Sequence, residues 1–133
     1  LKPVTCLVAI ALTLLVSEDS GFALSDEKLN GQLLKLDMET RLEQTCDTEV
    51  MLRINLENRK LSVDKVIAYS FAEPRMKKDS ITAPGAVFRS RGEWYHLSYA
   101  CKTGPRHLDA HQLDYEIGPM VPRSKWRKHY LYD

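Results

Sequence analysis

The sequence predicts an α+β domain: an N-terminal helix or helix pair packed on an antiparallel meander sheet of about four strands, with a short C-terminal helix. Three observations carry that expectation. Apolar residues recur every four positions from Met38 through Leu42, Cys46 and Val50 to Ile54, the stripe of an amphipathic helix. After Arg59 the apolar period falls from helical spacing to two. Between two such alternating runs stands Arg91-Gly92, a pair suited to the tip of a tight hairpin. A chain of 133 residues has room for one such domain.

The chain opens on a segment outside that domain. VTCLVAIALTLLV, residues 4–16, is uncharged and follows Lys2. As a helix it would reach roughly 20 Å, short of the roughly 30 Å hydrocarbon core of a bilayer. It matches the apolar centre of a secretory signal peptide, with Gly21 and Ala23 as the small residues of a cleavage site. The expectation is a signal peptide over residues 1–23, cleaved after Ala23, with an uncleaved membrane anchor as the alternative, and a domain over 24–133 with no transmembrane segment once the leader is removed. Removing the leader takes Cys6 with it and leaves Cys46 and Cys101 in an oxidising compartment. The net charge of +1, from 19 basic and 18 acidic residues, argues against nucleic acid as a partner.

The elements follow in order. SDEKLNGQLLKL, Ser25 to Leu36, carries Leu29, Leu33 and Leu36 at helical spacing behind a Ser25 N-cap, weakened by Gly31. The long helix comes next, capped by Asp37 or by a Thr40–Glu43 capping box, with Cys46 on its buried stripe and Glu43, Asp47 and Arg53 pointing elsewhere. Val63 to Ala72 reads as a strand, with Ile67, Tyr69 and Phe71 on one side and Val66, Ala68 and Ser70 on the other. EPRMKKDS reads as a polar turn. ITAPGAVFRS returns to extended structure with a bulge or kink at Pro84-Gly85.

Beyond the hairpin tip, EWYHLSYACK places Tyr95, Leu97, Tyr99 and Cys101 toward the core. TGPRHLDA is a turn, and HQLDYEIG a strand with Leu113, Tyr115 and Ile117 inward. Pro119 and Pro122 end it, and SKWRKHYLY supplies the terminal helix.

RLEQTCD at Arg41 to Asp47, VIAYSFAEP, GAVFRSRGEWYHLSYAC, YEIGPMVP and the terminal Trp126 resemble one family, the exported alphaproteobacterial domain of unknown function 930. The resemblance runs roughly from Leu36 to Tyr132. It implies a small envelope domain, and it brings no activity and no catalytic residues. The family pattern often carries proline where this chain has Met38, a departure confined to the first helical turn.

Among chemically interesting residues, Cys46 and Cys101 come first. Each lies on the inner face of its element, so helix and sheet present them to each other. A disulfide there closes a loop of about 56 residues and contributes roughly 4 kcal/mol in the chain-entropy view. The alternative, a reactive thiol, needs a lowered pKa and a neighbouring base, and the sequence near neither cysteine offers them.

His107, Asp109 and His111 form an H-x-D-x-H pattern that would face one way on a strand and chelate a metal. Carrying the phase of Leu113, Tyr115 and Ile117 backwards would bury all three, so the strand starts later or a bulge near Ala110 resets it, and the segment reads as an exposed loop. Asp37, Glu39 and Glu43 have the acid spacing of a helix start, which the helix dipole explains. Arg123, Lys125, Arg127 and Lys128 form the most basic stretch, either a weak contact for an anionic surface or a solvated face with Trp126 and Tyr130 against the sheet. Arg89, Arg91 and Trp94 flank the hairpin tip. They make either a binding surface or, for Trp94, packing beneath the bulge at Gly85.

No catalytic set, metal site or cofactor motif is expected. The sequence therefore reads as an exported envelope protein of a Gram-negative bacterium, a binding or interaction module for an envelope protein or ligand. The alternatives are a small periplasmic enzyme and a metal-binding protein using His107 and His111.

Overall fold

The computed structural model describes residues 27–133. The leader, its cleavage point and Ser25 lie outside those residues. Two helices and five antiparallel strands form the described part, so the α+β expectation holds. Helix α1, Glu27–Leu33, stops short of Leu36 and buries Leu33 against Leu108. The Arg41 side chain donates to the carbonyls of Leu33, Leu34 and Leu36, which answers the unpaired acceptors at that helix end. Helix α2 spans Met38–Glu57, and Asp37 caps it by accepting from the Thr40 amide at 3.0 Å. Leu42, Cys46, Val50 and Ile54 are buried as the periodicity requires, whereas Met38 in the first turn is exposed.

The strands are β1 Val63–Ile67, β2 Arg75–Lys77, β3 Ser80–Ser90, β4 Glu93–Thr103 and β5 Ala110–Met120. Their order is β1-β3-β4-β5, with β2 beside the other half of β3. Two expectations change here. The strand predicted over Val63 to Ala72 ends at Ile67, and the polar turn EPRMKKDS contains β2. One cause explains both. The long β3 offers an edge that two short strands share, and the chain crosses between them at residues 68–74. At the crossing the Phe71 amide donates to Gly85 O at 2.8 Å. A Cβ on Gly85 would lie 2.7 Å from the Ala72 Cβ, so the crossing requires glycine at that position. The register shift on β3 falls between Ala83 and Ala86, where Pro84-Gly85 predicted it.

At the β3–β4 hairpin Arg91 and Gly92 both have positive φ, 51° and 78°, the backbone a two-residue turn of this hand needs. On β4 the odd-numbered residues face α2, and Cys101 bonds Cys46 with a Cα–Cα distance of 6.0 Å. The edge strand β5 is only half-covered, and Ile117 is exposed. It continues through Pro119, which an edge tolerates because no ladder bond is demanded on the outer side. In place of a terminal helix the chain makes two 3-10 turns, Arg123–Lys125 and Arg127–His129. These fold under the opposite face of the sheet, where Trp126 and Leu131 join Val87, Trp94 and Val121 in a second small core.

Candidate functional site

The C-terminal turns, the β1 edge and the first half of α2 do not close on one another. They leave a cavity of about 480 Å³. Helix α2 supplies Glu43 and Asp47, the crossing after β1 supplies Tyr69 and Glu73, and the C-terminal tail supplies Tyr130 and Tyr132. Two structural devices hold these walls. The His129 ring stacks on Phe71 at 3.8 Å and its Nδ1 lies 3.1 Å from Ser70 O, which docks the tail against the crossing. Trp94 Nε1 donates to Tyr132 O at 2.8 Å, which fixes the chain end.

Asp47 forms the inner wall and is only 7% exposed. Tyr99 donates its hydroxyl to Asp47 Oδ1 at 2.6 Å. Burial pushes the Asp47 carboxyl up to about 8; the Tyr99 hydrogen bond works against that rise and the charge of Glu43 adds to it. The Tyr99 hydroxyl is itself pushed far above its ordinary value, by burial first and by the adjacent Asp47 charge second. Around neutral pH the pair is therefore a carboxylic acid accepting from a phenol. Glu43 is raised as well, by its own burial and then by the charge of Glu73. Neither lysine on the rim, Lys65 or Lys128, relieves these acids.

Tyr130 stands at the mouth. It is 88% exposed, and its φ of 57° lies in the left-handed region that ordinarily favours glycine. Its amide donates to Arg127 O and the Leu131 amide to Trp126 O, the closing bonds of a helix-like end. A large aromatic ring in that backbone position costs about 1–2 kcal/mol relative to glycine, and exposure returns nothing to the core.

Each site residue expected from sequence has a definite place. Cys46 and Cys101 are joined in a disulfide, so neither is a reactive thiol. Trp94 packs in the second core with no exposed surface, and its place beside Arg89 is internal. Arg89 bonds Asp64 through two nitrogens, at 2.9 and 3.0 Å, between the rings of Trp94 and Tyr132. Only Arg91 of that trio is exposed.

His107 is buried rather than looped out. A positive φ of 55° turns its ring inward, where Nδ1 meets Met38 O and Nε2 meets Lys78 O, both at 2.7 Å. His111 is exposed and lies by Gly104, so the two rings do not share a centre. Among the described residues no group of three His, Cys, Asp or Glu side chains is arranged to hold a metal ion. In the basic stretch, Arg123 stacks on Trp126 and reaches Asp133 and Glu93, while Lys125, Arg127 and Lys128 are exposed.

Residues 33–131 match the family described as Domain of Unknown Function (DUF930). The chain belongs to that family. The matched region takes in every wall of the cavity except Tyr132. Neither the curated proteins nor the solved structures gave a match. The family description assigns no activity, so the case for a site rests on the cavity itself.

Sequence reasoning missed Asp47, Glu73 and Tyr130. Asp47 had a readable signal: Tyr99 is two residues before Cys101 on the same strand face and Asp47 follows Cys46, so the disulfide brings phenol and carboxyl together. Tyr130 had none, because its importance lies in a backbone angle.

Proposed function

We propose that the chain is exported to the periplasm or envelope of a Gram-negative bacterium and serves there as a non-catalytic binding module, with its ligand in the α2–β1–C-terminal cleft. Tyr130 is the observation that carries the reading: the fold holds an exposed aromatic ring at a cleft mouth on a backbone better suited to glycine. Clefts of this size with aromatic walls and a few polar groups suit small ligands. Export is supported by the uncharged leader ahead of the domain and by the disulfide, a bond that persists in oxidising compartments. No described helix is long and apolar enough to cross a membrane.

A thermal-shift screen of small envelope constituents tests the reading, run on the wild type and on Tyr130→Ala. At least one compound should raise the wild-type midpoint and leave the variant's nearly unmoved. A screen with no such compound overturns the proposal. The second reading, a small hydrolase, is favoured by one feature, a proton-bearing Asp47 one turn from Glu43. It requires turnover of a bound compound that Asp47→Asn abolishes.

A further inference from the structure

We propose that the cleft binds an organic ammonium ion, its charge against Glu43, Asp47 and Glu73 and its body among the tyrosine rings. This rests on reading the cleft as a binding site and names what fills it. The carboxyls converge from two different segments, α2 and the crossing after β1, and among the described residues neither rim lysine, Lys65 or Lys128, forms an ion pair with any of the three. Asp47 is more than nine-tenths buried, lines the cleft wall, and accepts from Tyr99 through its Oδ1. Facing Asp47 are Tyr99 from β4 and Glu43 from its own helix, with Glu73, Lys65 and Lys128 around the cleft.

Tyr69 and Tyr130 are substantially exposed here, and aromatic faces attract cations through their ring quadrupoles, as Tyr132 already does with Arg89. A neutral sugar would use the rings but leave the repulsion between Glu43 and Glu73 in place. A cation relieves it. Lys65 and Lys128, on the rim, exclude a second positive charge and favour a monocation over a polyamine.

A proton is linked to this binding. In the free protein Asp47 holds its proton up to about pH 8. An ammonium group favours the carboxylate, so at pH 7 binding releases a proton to buffer, and affinity rises with pH until about 8 and then levels.

Calorimetric titration of the protein with choline, with phosphocholine and with 3,3-dimethylbutanol, the neutral isostere of choline, tests the inference. Choline should bind about tenfold or more tightly than the isostere. The heat should vary with the buffer's ionisation enthalpy at pH 7, which reads the released proton. Asp47→Asn keeps an acceptor for Tyr99 and should retain the fold, yet lose the buffer dependence and weaken choline about tenfold. Phosphocholine tighter than choline would place the lysines on the ligand's anion, a source such as a lipid headgroup; equal affinities would point to a free amine.

Equal binding of choline and its isostere, or choline binding unchanged in Asp47→Asn, overturns the cation inference and leaves the binding module standing. Failure of all three probes also overturns it. Failure of the broader screen as well removes the binding module too.

Discussion

Asp47 shows how burial turns an ordinary residue into a titrating device. Its carboxyl holds a proton from the aspartate value of 3.8 up to about 8 in the folded chain, whereas the unfolded chain releases it near 3.8. Between those values the native state binds more protons, so this group's contribution to stability is fully present below 3.8 and is lost as pH rises through about 8. Chemical denaturation at pH 5 and pH 8 should find the wild type less stable at pH 8, and Asp47→Asn should flatten that difference. Tyr130 makes the second prediction at this scale. Tyr130→Gly relieves the left-handed backbone and should raise stability by about 1 kcal/mol while weakening ligand. Lower stability in that variant would show the ring to be a packing group.

At the scale of elements, most of the architecture was legible because it follows from period and turn chemistry. The α2 stripe, the Arg91-Gly92 hairpin and the Pro84-Gly85 bulge each reflect a local rule. What could not be read depends on distant partners. β2 is the short run Arg75-Met76-Lys77, which becomes a strand because β3 has an unpaired half-edge. Gly85 is needed because another segment crosses it. Gly85→Ala should therefore cost about 1–3 kcal/mol in denaturant unfolding, with the cleft loosened because the crossing carries Tyr69 and Glu73.

His107 is the same lesson on a loop. The H-x-D-x-H spacing resembles a chelate, yet the ring ties the β4–β5 loop to α2 and to the β2–β3 turn. Thr45 reinforces the tie by donating to His107 O at 2.6 Å. His107→Ala should cost on the order of 2–4 kcal/mol, and added metal should leave the wild-type midpoint unchanged.

For the whole molecule, the disulfide joins helix and sheet across 55 positions of sequence and fixes Asp47 relative to Tyr99. Reduction should lower unfolding free energy by about 4 kcal/mol, followed by the fluorescence midpoint in denaturant with and without reductant. Denatured, unreduced protein should show no free thiol at Cys46 or Cys101. The layered fold thus serves two ends with one covalent link, a packed core on the α2 side and a cleft whose inner wall is a buried acid.

That acid offers the most direct test. Carbon-13 NMR titration of the Asp47 carboxyl, in free protein and at saturating choline, should give a midpoint near 8 that falls when ligand binds. A midpoint near the ordinary aspartate value of 3.8, or one that choline leaves unmoved, would contradict the account.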